Sequence, residues 1–432
     1  MNQNSGKNRV ILFLIVFLDM MGFSIIFPIF PEILQFFNSK GHDYTLDIFI
    51  KIAHYITPSH DSKVIIVLLG GISGSIYSFL QFVFAPLWGK ISDSEGRKPV
   101  LIFTSIGNLL GYIVWLFSGN FTMFVLSRII TGSMGGNISV ASASMADSTS
   151  IQDRAKGMGM IGAGIGLGFI FGPPIGGFLS KYELSSVFYF LSPVLTKFSM
   201  SAFFSVLVAA MNILLLIFLF HETKEKIKTQ TKKVHPLLEI NNIQNKKLIT
   251  IALVYFLFMF SFSGFEFVLN FFLSEIYNFS PENIGMTFVF IGIIIIFIQG
   301  GIIRRISGKV SEINICIFGA ISLIIGFSIL IFIPVLSFVF FAFALLATGS
   351  AFLNPGFTSL ASINARLEEQ GKSLGVIRSF GSLARAISPI TFCLIYFLNG
   401  AYFSFTVSFM ITIVFFVLLL VMRYKYTEQT NL

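Results

Sequence analysis

The sequence predicts an all-α membrane protein with 12 transmembrane helices in two pseudo-symmetric six-helix halves. Three observations carry that expectation. Only 11% of the 432 residues are charged and 55% are hydrophobic, whereas a soluble domain carries about 25% charged residues. Such a chain cannot cover a water-facing surface, so lipid must be the solvent for most of it. The apolar residues also form continuous runs of spanning length, and features of the first half recur in the second. Continuous runs that do not alternate exclude a closed barrel.

A spanning helix needs about 20 apolar residues. The segments that qualify are 10–37, 64–88, 99–118, 121–146, 155–180, 199–220, 248–276, 282–303, 313–332, 335–363, 373–398 and 401–422. The first is too long for a signal-peptide core and lacks a small-residue cleavage site, so it reads as a retained span.

Lys and Arg set the orientation. With the N-terminus inside, the inward tails and loops collect 21 of the 29 basic residues; the outward loops hold five, Lys40, Lys51, Lys63, Lys181 and Lys197. That asymmetry predicts both termini on the cytoplasmic side of a cell membrane. The net charge of +9 is then topological, dispersed between spans, and no nucleic-acid partner is expected. The basic segment 221–247 reads as a cytoplasmic linker between halves at 1–220 and 248–432. It serves either as a solvated loop or as an anionic-lipid contact.

Cys316 and Cys393 both lie in apolar runs, and the five histidines sit in loops without ligand spacing. No disulfide, metal or cofactor is expected. Without a nucleotide loop or nucleophile triad, neither an enzyme nor an ATP-driven pump is indicated.

Two pairs of segments repeat. TGSMGGNISVASASMADSTSIQDRAKGMG follows the fourth span's entry, as TGSAFLNPGFTSLASINARLEEQGKSLG follows the tenth's. GGIIRRISGK (300–309) stands between spans 8 and 9 where GKISDSEGRK stands between spans 2 and 3. Duplicated six-span halves are a transporter architecture that binds a small-molecule substrate near mid-membrane, at the repeat interface.

Several motifs resemble the major facilitator superfamily. GKISDSEGRK (89–98) is similar to that family's signature between spans 2 and 3, here Gly89, Asp93, Gly96, Arg97 and Lys98. Ser94 and Glu95 depart from it, since the family often has Arg there. LSRIITGSMGG (126–136) resembles the fourth-span motif, in which Arg128 would be the membrane arginine. GLGFIFGPPIGG (166–177) is similar to the fifth-span antiporter motif, with Gly168, Gly172, Pro173, Gly176 and Gly177. FLDMMGFSIIFPIFPEI (17–33) and RSFGSLARAISP (378–389) look like tetracycline exporters and tetracycline-transporter-like proteins. The resemblance implies a monomeric, proton-coupled antiporter of the drug:proton branch, exporting a small amphiphile by alternating access. A proton-coupled importer of a metabolite is the alternative, against which GPPIGG counts.

Ionisable groups in hydrocarbon cost about 2.5–3.5 kcal/mol each on insertion scales, so each needs a reason. Asp19 lies about 14 Å into span 1 at 1.5 Å per residue. It reads as a proton- or substrate-sensing carboxylate, or as a helix-pairing one. Glu266 in span 7, the repeat partner of span 1, would face the same cavity from the other half or hydrogen-bond between helices. Glu32 reads as an outer-mouth residue. Arg128 would exchange partners during transport, by resemblance, or form a fixed pair. Arg378 and Arg385, seven residues apart, project from nearly one face of span 11. They line the cavity, unless Arg378 snorkels to the inner surface. Gln81 and Asn137 are weaker candidates for pocket polarity.

Three arginines against Asp19 and Glu266, with Glu32 at the mouth, favour an anionic or zwitterionic substrate. The 54 Phe would supply an apolar, adaptable pocket, although most read as lipid-facing. The fifth-span glycines and Pro173 read as a hinge and seal, or as ordinary tight packing. In the 89–98 loop, Gly89 and Gly96 would permit the turn. Asp93 would latch onto the start of span 11, through its helix N-terminus or Arg378.

Overall fold

The computed structural model describes residues 5–41, 43–56, 62–150, 154–186, 195–223, 246–306, 308–364 and 370–430. No β-strand occurs among them. In a bilayer every backbone N–H and C=O must be satisfied within its own segment, and a helix does this for each apolar run.

The helices in order are α1 (Ser5–Ser24), α2 (Phe30–Lys40), α3 (Tyr44–Ile56), α4 (Ser62–Glu95), α5 (Arg97–Leu116), α6 (Phe121–Ser133), α7 (Asn137–Asp147) and α8 (Arg154–Leu179). There follow α9 (Ser199–Phe218), α10 (Lys246–Ile276), α11 (Pro281–Phe297), α12 (Arg304–Ile306), α13 (Glu312–Phe332), α14 (Leu336–Ile363), α15 (Gln370–Asn399) and α16 (Ala401–Thr430). A short 3₁₀ turn, Phe27–Ile29, joins α1 to α2 across Pro28, and the two run on as one candidate span from Gly6 to Lys40. Eleven spans long and apolar enough to cross a membrane occur among the described residues.

The predicted fourth span is the exception: it is broken into α6 and α7 at Met134–Gly136. A Cβ on Gly136 would run into the Trp88 ring, and one on Gly132 into the Tyr77 backbone. The break frees a carbonyl at Ser133, and the Trp88 indole Nε1 donates to it at 2.7 Å. An aromatic donor from α4 thus satisfies what the helix cannot.

Three further departures from the sequence expectation are local. The segment between spans 1 and 2, read as a loop, contains α3. The expected 89–98 loop is almost wholly helical, because α4 continues to Glu95 and α5 begins at Arg97. Gly96 alone makes the turn, at φ +100°, a conformation that favours glycine. Gly89 lies inside α4 and instead lets Ser139 approach. Finally, α11 loosens into a π-helical turn at Ile298–Ile303, over Gly300 and Gly301.

Contacts gather the chain into two units, Met1–Lys233 with Asn270–Phe288, and Val234–Leu269 with Val289–Leu432. Most of the expected linker, 224–245, lies outside the described residues.

The first unit is held by a seam of small residues. Gly164, Gly168, Gly172 and Gly176 recur every fourth residue on α8. A Cβ on them would meet Phe13 O, Phe17 O, Met21 O and Ile25 O respectively, the backbone of α1 and its exit. Without side chains between them the two backbones approach directly. Ser24 Oγ donates across the seam to Gly168 O at 3.0 Å. Pro173 and Pro174 lie within α8, which is helical throughout.

In the second unit α13 and α14 meet through Gly319, Gly326, Gly349 and Gly356 in the same manner. Among the described residues the largest fully buried side chains are all phenylalanines, including Phe258, Phe327, Phe343, Phe357, Phe392 and Phe405. The phenylalanine excess therefore packs helices together as well as facing lipid.

Candidate functional site

Asp19 sits near the C-terminal end of α1, where α5 and α7 converge on it. Its Oδ1 accepts from Asn108 Nδ2 at 3.1 Å and from Asn137 Nδ2 at 3.0 Å. Asn137 is fixed in turn, since Thr104 Oγ1 donates to its Oδ1 and its Nδ2 also reaches Ser105 Oγ at 3.3 Å. Asn137 holds this position because the α6–α7 break makes it the first residue of α7. A straight helix would aim it elsewhere.

Beside Asp19 is a cavity of about 10 Å³, lined by Ser105, Asn108 and Tyr112 of α5, Leu18 of α1, and Val208, Ala209 and Asn212 of α9. Asn212 Nδ2 donates to Ile15 O at 3.3 Å. One further turn along α5 the Tyr112 hydroxyl lies over Gly22, within ordinary contact distance of where a side chain would begin.

Arg128 on α6 is buried, with its guanidinium 5.3 Å from the Trp115 ring and 5.6 Å from that of Phe124. Its Nε reaches Ser127 Oγ at 3.4 Å. Stacking on aromatic faces suits the weakly hydrated guanidinium. The fixed carboxylate pairing considered from the sequence is not among the ion pairs of the described residues.

Glu32 and Gln81 are not among the hydrogen-bond partners of Asp19, which are Asn108 and Asn137. Glu32 pairs with Lys197 at 3.0 Å, and Gln81 Nε2 donates to Tyr77 Oη at 3.2 Å.

In the second unit Glu266 of α10 is half-buried, as are Arg378 and Arg385 of α15. Arg385 lies close enough to act electrostatically on Glu266, and both arginines act on Tyr255. Tyr255 Oη donates to Asn354 Oδ1 at 3.5 Å, and Asn354 Nδ2 donates to Ser350 O at 3.2 Å. Gly381, between the arginines, leaves room for the Tyr255 ring.

The signature residues form a third cluster. Arg97 is buried. Its Nη2 bonds Asp93 at 2.9 Å, its Nε bonds Asp147 at 2.8 Å, and its Nη1 bonds Ser92 Oγ at 2.7 Å. Lys98 Nζ donates to Ile217 O at the end of α9, at 2.8 Å. Glu222 accepts from the backbone N–H groups of Arg97 and Lys98, and the structure thus ties α4, α5, α7 and α9 at one end through residues of which Asp147 and Glu222 went unnoticed in the sequence. Asn108, Tyr112, Asn212, Tyr255 and Asn354 were missed as well. Their signal was faint: single polar residues inside apolar runs.

Ionisable groups set inside membrane-crossing helices, Arg128 buried and Asp19, Glu266, Arg378 and Arg385 half-buried, are the kind of residues that line transport pathways. The chain belongs to the Major Facilitator Superfamily, whose family model matches residues 12–389. It is 30% identical to the mouse (Mus musculus) major facilitator superfamily domain-containing protein 10, over 98% of this chain and 94% of the relative. It is 28% identical to the class B tetracycline resistance protein of Escherichia coli, over 90% and 89%. The crystal structure of the human organic anion transporter MFSD10 (TETRAN) superposes with a TM-score of 0.78 at 28% identity, covering 97% of this chain and all of that one. The protein is therefore a multi-pass membrane transporter and not an enzyme.

Proposed function

We propose that the protein is a proton-coupled exporter of small organic anions or zwitterions, working by alternating access. The observation that carries this reading is Asp19, a carboxylate deep in a span whose Oδ1 is held by two amide donors. A proton taken on Oδ2 leaves both bonds to Oδ1 in place, so the charge of the site changes without its scaffold changing. Such a support suits reversible protonation of the carboxylate.

The balance of charge supports the substrate class. Arg128, Arg378 and Arg385 outnumber Asp19 and Glu266, so a cavity to which they contribute attracts anions. Relatives lend weight, since one is a human organic anion transporter and others are tetracycline resistance proteins. In this reading the halves at 1–220 and 248–432 rock about a central site faced by Asp19 and Glu266, with 221–247 linking them. Both termini are cytoplasmic, Pro173 serves as hinge, and Asp93 latches the start of α15 in one state. The working unit is a monomer.

Proteoliposomes with an imposed pH gradient test it. Uptake of organic anions into everted vesicles should follow the proton gradient and cease when the gradient is collapsed. Transport that persists without the gradient, or runs faster for cations than for anions, overturns the proposal.

A further inference from the structure

The helix α3 has three faces, and only two of them are accounted for by protein and water. At 100° per residue, Thr45, Leu46 and Phe49 point at the bundle. Leu46 is buried, Phe49 meets the Phe121 ring at 5.5 Å, and the Thr45 and Thr122 hydroxyl oxygens lie in hydrogen-bond contact at 2.8 Å. Asp47, Lys51 and His54 form a polar edge. The third face carries Tyr44, Ile48, Ile52 and Tyr55, all exposed, with Tyr44 at 81% and Tyr55 at 94%.

The level of α3 is fixed by its ties. Lys40 Nζ donates to Gly119 O at 2.7 Å, and Asp43 accepts from the Thr122 backbone N–H at 3.0 Å and from its hydroxyl at 2.7 Å. Gly119 and Thr122 belong to the short turn where the chain leaves α5 and enters α6. Directly below that turn α6 exposes Met123, Leu126 and Ile129 at every third residue, a stripe that in a membrane-spanning helix faces lipid. The helix α3 is tied to the end of that span and carries exposed apolar side chains of its own.

We propose that α3 lies along the lipid headgroup layer, on the side of the membrane opposite Gly96, with Ile48 and Ile52 in the acyl boundary. Tyrosines at both ends of the stripe have the amphipathic rings that membrane interfaces select. A helix with one apolar face, a polar edge and a lysine that can lift its ammonium toward water is the interfacial kind. The helix thereby holds the outer ends of α2 and α4 at a set depth. None of this depends on what is transported.

Spin labels on single introduced cysteines test the placement in phosphatidylcholine vesicles; the native Cys316 and Cys393 are buried. Labels at Ile48→Cys and Ile52→Cys should collide with oxygen several-fold more than with a water-soluble nickel chelate. Labels at Asp47→Cys and His54→Cys should show the reverse. Equal nickel access at all four positions overturns the proposal, because the face is then in water. Exclusion of both reagents at Ile48 and Ile52 also overturns it, since a second copy or another protein then covers the face. A second measurement leaves the helix uncut by labels. Brominated phosphatidylcholine should quench the tryptophan of Tyr55→Trp beyond the quenching of wild type, and unchanged quenching refutes contact with lipid.

Discussion

The carboxylate of Glu222 caps the first turn of α5, with Oε1 accepting from the backbone N–H of Arg97 at 2.9 Å. Its other oxygen takes the N–H of Lys98, also at 2.9 Å. A residue just past α9 thus satisfies two of the donors that the start of any helix leaves open, and it places negative charge where the helix dipole favours it. Replacing a capping side chain by alanine costs about 1 kcal/mol. Glu222→Ala should lower the unfolding temperature accordingly, and Glu222→Gln, which keeps one acceptor, should lower it less. Differential scanning of the detergent-solubilised protein reads the difference.

Arg97 carries a larger share of that end of the bundle. Removing one partner of a buried ion pair costs about 3–5 kcal/mol, and here Asp93 and Asp147 are about a quarter exposed. Arg97→Ala should therefore destabilise by about 2–3 kcal/mol. Arg97→Lys should recover only part, because an ammonium cannot reproduce the three separate bonds of the guanidinium. Thermal unfolding of both variants beside Asp147→Asn, the mildest of the three, checks the order.

Asp19→Asn keeps an oxygen for Asn108 and Asn137 but cannot take a proton. Its expected outcome is normal folding with transport against a gradient reduced at least about a hundredfold, the scale of a lost proton-transfer group. Any residual transport should be insensitive to pH. Asp19→Leu, which leaves two buried amides without their acceptor, should also lower stability. Counterflow measurements with the proton gradient collapsed separate binding from coupling.

Position on the α8 seam should decide the effect of filling a glycine. Gly176→Ala would press a methyl into Ile25 O, whereas Gly166 faces open space. Overpacking costs about 1–3 kcal/mol, so Gly176→Ala should cost expression and melting temperature. Gly166→Ala should be neutral or slightly stabilising. Fluorescence-detected size exclusion after heating distinguishes them.

Outside the membrane, Asp43 gives a pH dependence. Burial pushes its carboxyl up, but hydrogen bonds from Thr122, Leu46 and Thr45 outweigh it and hold the group below the usual carboxylate range. A depressed pKa contributes stability above the unfolded value of about 3.9, and that contribution fades as pH falls through the folded one. The tie between α3 and α6 should thus be constant from about pH 8 to 5 and loosen only below about pH 4. Hydrogen exchange at Thr122 follows it, and Asp43→Asn should show the loosened rate at every pH.

Hydropathy made most of the spans legible, because lipid imposes one requirement on every run. What it could not show were features that depend on a neighbour. The α6–α7 break rests on Trp88 reaching Ser133 from another helix, so TGSMGG read only as part of one continuous fourth span. The helix α3 is amphipathic and far shorter than a span, which left it among the loops. Gly89 and Gly96 looked equivalent as turn residues, yet only Gly96 has positive φ. Asp19 and Asn137 stood out as polar residues in apolar runs. Their contact across 118 residues of sequence has no periodicity to announce it, and Asn108 and Asp147 were overlooked for the same reason.

The glycine seam has a mechanical meaning. Four backbone oxygens of α1 and its exit rest in four notches on α8, one per helical turn. Sliding by less than a full turn would drive each oxygen into the wall of its notch. The pair is geared: α8 cannot advance, tilt or bend near Pro173 without carrying the α1 backbone with it, and Asp19 rides on that backbone. A displacement at the proline end of α8 would thus be felt in the surroundings of Asp19.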